Sequence, residues 1–300
     1  MRLLPFFLLL AVLLLAVPTE MSFADAAVRI TTDLWNDSAV SYSPVADQIA
    51  WYSNRTGGAQ VWLMSLPGGT PTQLTNEASN YWPTWSPDGT TIACVSDRDG
   101  SFDIYTIPVG GGTATRLTTG ANPNRPEWSP DGTMIAYDQS DDIWVVPATG
   151  GAPTQITTHS AVDSDPTWSP DGNWIAFASN RGGGGDIWAI PSAGGTAVQI
   201  TTGTGGDGYP SWSPDGSFIV FTSFRSGNGD IWTIPAFGGT AAQITDDPAP
   251  DLEPDWSNDG TKIYFSSSRE EMNQDIYVID FTVPVTVEQS TWGRVKSMFR

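Results

Sequence analysis

Short apolar runs separated by turn-forming residues organise this chain, and one stretch shows the pattern well. Pro166-Thr167-Trp168-Ser169 reads as a short strand. Pro170-Asp171-Gly172 is a tight turn, in which proline fixes one φ and glycine accepts a positive one. Trp174-Ile175-Ala176-Phe177-Ala178-Ser179 is a second, largely apolar strand. A glycine-rich loop, Gly182 to Gly185, leads to Asp186-Ile187-Trp188-Ala189-Ile190, and Gly194-Gly195 turns the chain into Ala197-Val198-Gln199-Ile200-Thr201. Four strands joined by short turns predict an antiparallel sheet.

The same pattern recurs along the chain. The string W-S-P-D-G begins at Trp85, Trp128, Trp168 and Trp212. A variant, W-S-N-D-G, begins at Trp256, and a degenerate copy, Y-S-P-V-A-D, at Tyr42. The copies stand 40 to 44 residues apart, the period of a four-stranded propeller blade. A single sheet of this kind cannot hide both faces from water, whereas six around an axis can. The fold expected is therefore all-β: a six-bladed β-propeller of four-stranded antiparallel blades over residues 27–282. The repeated tryptophans become inter-blade core, where burying an aromatic of about 150–250 Å² is worth on the order of 4–6 kcal/mol gross. The last repeat has no fourth strand of its own. Val28-Arg29-Ile30-Thr31-Thr32 matches the fourth-strand endings of other repeats, such as Val198-Gln199-Ile200-Thr201-Thr202. The N-terminal strand is thus expected to complete blade six and close the ring.

Residues 1–26 read differently. Arg2 precedes an apolar run from Leu3 to Val17, and Ala24-Asp25-Ala26 supplies small residues for cleavage. The run is shorter than the roughly 20 apolar residues of a membrane span. A signal peptide cleaved after Ala26 is expected, and with it a periplasmic or secreted protein with no stable membrane span. The tail, 283–300, is basic and aromatic, and Trp292, Val295 and Phe299 would share one face if it were helical. Cys94, the only cysteine, lies in an apolar run and is expected to be buried.

Lys and Arg number 13 against 33 Asp and Glu, a formal net charge of −20. That balance argues against nucleic acid and is compatible with cationic partners or Ca²⁺. Asp88, Asp131, Asp171, Asp215 and Asp259 recur in the turns and are structural. Arg55, Arg98, Arg181, Arg225 and Arg269 end the second strands, while Asp103, Asp186, Asp230 and Asp275 begin the third. A charge pair across that hairpin is expected in each blade. Blade three has Gln139-Ser140-Asp141 instead, so Asp142 should lose its partner.

The unit x-P-x-W-S-P-D-G-x-x-I-A-F-x-S-x-R-x-G-x-x-D-I-W, followed by G-G and x-x-Q-I-T, resembles the WD-like repeat of the TolB family over about residues 28–281. The resemblance implies a periplasmic scaffold whose propeller face binds envelope proteins. Members of that family carry an α/β domain ahead of the propeller, and Ala27 leaves no room for it here, so a propeller alone is expected. Similar repeats precede the hydrolase domain of prolyl-oligopeptidase-like peptidases, but the chain has no G-x-S-x-G elbow. A related family of pectin-fragment lyases uses clustered histidines and a metal, and His159 is the only histidine.

Variable positions cluster between the fourth strand of one blade and the first of the next, where loops on a rigid scaffold commonly carry binding. They are Tyr81, Trp82, Asn124, Arg125, Asp163, Asp165, Tyr209, Asp251 and Glu253. Tyr, Trp and Arg beside acids suit recognition of an envelope or extracellular protein or peptide. Asp163, Asp165, Asp251 and Glu253 are also a candidate set for one Ca²⁺ ion; no other cofactor is expected. The leading expectation is an exported, monomeric, non-catalytic module that binds a protein or peptide through this loop-rich face. A carbohydrate or cell-wall binding module and a metal-dependent hydrolase or lyase are the alternatives.

Overall fold

The computed structural model describes residues 27–270 and 273–283. The expected signal peptide and the tail from residue 284, with Trp292, Val295 and Phe299, lie outside the described residues. The described chain forms six four-stranded antiparallel sheets. Five use four consecutive strands, and the sixth takes its outermost strand, Val28–Arg29, from the other end of the chain. Val28 pairs with Val278 and Arg29 with Tyr277. The ring thus closes as expected.

The repeat motif accounts for each blade. In the turns, Ser86 Oγ donates to Asp88 at 2.6 Å, and the backbone N–H of Thr90 donates to the same carboxylate at 3.0 Å. The turn glycines Gly89, Gly132, Gly172, Gly216 and Gly260 all have φ of 68–72°, which a side chain would strain. The second strands are the core. Trp51, Cys94, Tyr137, Phe177, Phe221 and Phe265 occupy one equivalent slot and are all fully buried. Cys94 stands where the other blades carry an aromatic ring, and burial pushes its thiol up to about 12. The repeated tryptophans join neighbouring blades. The indole N–H of Trp85 donates to Ser41 O at 3.1 Å, that of Trp168 to Glu127 O at 3.2 Å, and that of Trp256 to Ser211 O at 3.1 Å.

The hairpin charge pairs are arranged differently from expectation. Each arginine turns inward to the first residue of its own blade's inner strand. Arg55 meets Asp37 at 2.9 Å, Arg225 meets Asp207 at 2.6 Å, and Arg269 meets Asp251 at 2.8 Å. Arg181 likewise meets Asp163, and Arg98 donates to Asn80. The guanidinium groups lie over third-strand rings, 4.7 Å from Trp62 and 4.8 Å from Trp232, which holds them away from the third-strand acids.

Those acids are instead held by the outer strand. Arg29 meets Asp275 at 2.7 Å, and Gln199 and Gln243 donate to Asp186 and Asp230 at 3.1 and 3.2 Å. The threonine of each Q-I-T motif bridges the two strands: Thr201 Oγ1 accepts from Ile187 N–H at 2.8 Å. Asp142 of blade three therefore keeps partners, Gln155 at 2.8 Å and Thr157 at 3.2 Å. Its hairpin is tight because Ser140 and Asp141 both take positive φ, 52° and 68°.

Arg29 is the ion-pair link across the ring closure, and Asp275 is almost fully buried against it. Arg29→Ala leaves that carboxylate without its countercharge and should cost about 3–5 kcal/mol at pH 8. Burial already raises the pKa of Asp275 to about 6, and losing Arg29 raises it further. Protonated Asp275 needs no countercharge, so the deficit shrinks as pH falls to 5. Urea unfolding at the two pH values checks this; an equal deficit at both would contradict it.

Candidate functional site in the central channel

The inner strand of every blade carries a bulge. Its register shifts between Tyr81 and Thr84, between Asn124 and Glu127, and at the equivalent place in the other four blades. The bulged residues are Ala39, Trp82, Arg125, Asp165, Tyr209 and Glu253, with φ between 46° and 56°. Left-handed φ is unfavourable for such side chains and costs of order 1 kcal/mol each. A bulge re-aims a side chain, and here it turns six different ones toward a common axis.

Arg125 organises this layer. It reaches from blade three to the opposite blade, six, and donates to Glu253 at 2.8 Å. Its Nε donates to Asp165 at 2.6 Å. Its guanidinium lies 4.2 Å from the Tyr209 ring centroid and 5.2 Å from that of Trp82. Glu253 also accepts from Ala39 N–H at 2.9 Å. Burial would lower the Arg125 pKa, but Asp165 and Glu253 raise it overall. Burial raises that of Asp165, against the opposing effect of Arg125. The cluster spans the channel on the side where the blades connect.

Two residues further along each inner strand is a second layer: Ser41, Thr84, Glu127, Thr167, Ser211 and Asp255. Four are hydroxyls, and the two acids lie on opposite blades. Glu127 accepts from Thr84 Oγ1 at 2.9 Å. Asp255 accepts from Tyr42 N–H at 2.8 Å and from Ser211 Oγ at 3.0 Å. Both carboxyls are enclosed by protein except where they meet the cavity. That burial, reinforced for Glu127 by the charge of Asp255, raises them to about 8 and about 6 respectively. Both layers line a cavity of about 420 Å³ that extends to Pro44, Pro87, Pro130, Pro170, Pro214 and Asn258 in the turns.

The site expected from sequence is thus redistributed. Trp82, Arg125, Asp165, Tyr209 and Glu253 do come together, but on inner strands within the channel and not on exposed loops. Tyr81 packs on their outer side, with ring centroids 5.3 Å from Tyr52, 5.6 Å from Trp82 and 6.1 Å from Phe102. Asn124 is exposed and donates to Asp138 at 3.0 Å. Asp163 and Asp251 are fully buried against Arg181 and Arg269. The four carboxylates named for calcium therefore face three separate arginines. Among the described residues, no group of three or more His, Cys, Asp or Glu could hold a metal ion. Glu127 and Asp255 were missed. Comparing the residue before each repeat tryptophan would have found them, because the other blades carry Ser or Thr there.

The blades and channel define a closed propeller whose variable chemistry lies on its axis. A family model for the TolB beta propeller domain matches residues 29–142. One for the tricorn protease N-terminal beta propeller domain matches 132–228 and 182–297. The second model spans more than half of the chain, which therefore belongs to the family of tricorn-type N-terminal beta propellers and is TolB-like over residues 29–142. A structure assigned as TolB from Agrobacterium tumefaciens is 25% identical with a TM-score of 0.69, covering 86% of this chain and 97% of that one. TolB from Acinetobacter baumannii is 21% identical with a TM-score of 0.64, covering 81% of this chain and 63% of that one. An oligogalacturonate lyase from Vibrio parahaemolyticus has the same fold at 12% identity and a TM-score of 0.61, covering 87% of this chain and 94% of that one. No curated protein matches the sequence.

Two outcomes test the channel. Arg125→Leu leaves Asp165 and Glu253 facing each other without a cation and should destabilise by about 3–5 kcal/mol. Adding Asp165→Asn and Glu253→Gln should recover most of that loss, as read by denaturant midpoints. Glu127→Gln acts in the other direction. Between pH 4.5, the ordinary glutamate value, and about 8, the native state holds a proton that the unfolded state has lost, so wild-type stability falls across that window. Glu127→Gln removes the loss. Its Tm should match wild type near pH 5 and exceed it above pH 8; equal Tm values at both would contradict the assignment.

Proposed function

We propose that this chain is an exported, non-catalytic propeller that recognises a protein or peptide partner. The recognition face is the one formed by the connections between blades and the hairpins between second and third strands. The observation that carries this reading is the placement of exposed large apolar side chains. Among the described residues, Leu34, Trp35, Phe102, Val162 and Phe224 are exposed on that face; Val45 and Val283 lie on the opposite side, and Val28 on the outer strand of blade six. Exposed aromatics on a rigid scaffold suit protein partners. From Phe102 the contacts run through Tyr81 and Trp82 to Arg125 and Tyr209, from rim to axis. Likeness to TolB propellers supports a scaffold, and the leader-like residues 1–26 support export.

The carbohydrate reading is less well supported. A sugar platform needs a free ring face, whereas Tyr81 meets Tyr52 and Phe102 in edge geometry, and Arg125 lies over Tyr209 and Trp82. A metal-dependent hydrolase or lyase would need a ligand set, and the channel acids are held singly or by Arg125.

Cross-linking capture from envelope extract, with mass spectrometry, tests the face. The Arg125 cluster is avoided because it carries stability. Wild type and Val45→Asp should capture the same dominant protein, and Tyr81→Ser/Phe102→Ser should lose it at least tenfold. Equal capture by all three baits would overturn the reading.

A further inference from the structure

The cavity at the other end of the channel has chemistry that the loop-face reading does not use. Every other carboxylate facing the channel has a cation beside it: Asp165 and Glu253 share Arg125. Among the described residues, no cation stands within ion-pair distance of Glu127 or Asp255. They are also not required by the blade. Ser41, Thr84, Thr167 and Ser211 occupy the same position in the other four blades, where a hydroxyl satisfies the fold. Two opposite blades therefore carry an unneutralised acid at the head of an open cavity. Tyr42, the five repeat tryptophans and the turn prolines supply the apolar part of the walls. Around the cavity one arginine stands against four carboxylates.

We propose that this cavity binds a primary alkylammonium group, held by Glu127 and Asp255 with its alkyl chain against the tryptophan and proline walls. The three N–H donors of the ammonium match the carboxylates and neighbouring hydroxyls, and aromatic walls favour a cation on an alkyl stem. A quaternary ammonium lacks the donors. A metal ion would need more hard ligands than the site offers. The ammonium belongs either to a free diamine or to a lysine side chain of a partner. The site opens on the turn face, so it stands or falls separately from the recognition face above.

The other ionisable groups around the cavity are accounted for. Arg125, Asp165 and Glu253 are paired at the end where the blades connect, with Tyr209 against them, and the hydroxyl of Tyr42 donates to Asp47 at 2.6 Å. Binding must therefore draw on ionised Glu127 and Asp255. Because burial holds Glu127 protonated up to about pH 8, an ammonium guest should displace its proton.

Calorimetry with the mature protein, using cadaverine, Nα-acetyl-lysine amide, ethylguanidinium and neutral 1-pentanol, tests this. Both alkylammonium probes should bind saturably and the neutral alcohol should not. Affinity should increase as pH is raised toward about 8, by up to about tenfold per pH unit, with proton release seen as a dependence on buffer ionisation heat. Cadaverine binding more tightly would identify the free diamine as the source, and the lysine amide binding more tightly would identify a side chain. Glu127→Thr with Asp255→Ser installs residue types that the other blades already tolerate, and it should abolish binding. Absence of saturable binding, equal binding of 1-pentanol, tighter binding of ethylguanidinium, affinity independent of pH, or binding retained by a folded double variant would each overturn the proposal.

Discussion

Closure of the ring by two residues, Val28 and Arg29, is the constraint on which the rest of the molecule depends. A four-stranded sheet with an apolar face on each side is stable only between two neighbours. Six such sheets satisfy one another only if the first and last are the same sheet. Val28 and Arg29 make blade six from both ends of the chain. Thr31 then continues the bridging role of the Q-I-T threonines: it accepts from Ile276 N–H at 2.9 Å and donates to Asp275 at 3.1 Å. The closure uses the same polar joint as every ordinary third-to-fourth strand contact. It is an ordinary blade edge formed between distant parts of the chain.

Once the ring is closed, six inner strands must face one narrow axis. Equivalent side chains from six blades would then converge, and six identical large ones could not fit. The bulge gives each blade one position whose identity the sheet does not determine, and the chain fills these positions asymmetrically. Ala39 makes space, Trp82 and Tyr209 supply ring faces on opposite blades, and Arg125 crosses to Glu253. The left-handed backbone at these six positions is a local cost that the surrounding strand pairs hold in place.

The fold was legible in the sequence because it is written six times. Trp168, Asp171 and Gly172 each recur at blade spacing, and a single turn chemistry explains them. The N-terminal strand was legible because Val28 to Thr32 repeats an ending found elsewhere. Interactions between strands of one blade were less legible. Periodicity showed that Arg225 and Asp230 both recur, but not that Arg225 would turn to Asp207, since the ring of Trp232 decides its direction. In the channel, Trp82, Arg125 and Tyr209 were found because they vary, but their location was misjudged. A residue just before Pro83 or Pro126 looks like the end of a loop, and only the bulge shows that it lies inside a strand. Glu127 and Asp255 stood inside the motif that identified the fold, so they read as part of it.

The two ends of the channel handle charge in opposite ways. At the end where the blades connect, acids and an arginine neutralise one another with donor distances of 2.6 and 2.8 Å, so that end is filled from within the chain. At the turn end, two carboxyls are raised by burial and left with only neutral donors. A chain that places an arginine against most inner-strand acids has an available solution for such groups and does not use it here. Burying carboxyls without a cation costs stability once they ionise. The blade needs only a hydroxyl at that position, so this cost arises from residue types the fold does not require. The cavity beneath them is where a cation from outside the chain would remove it.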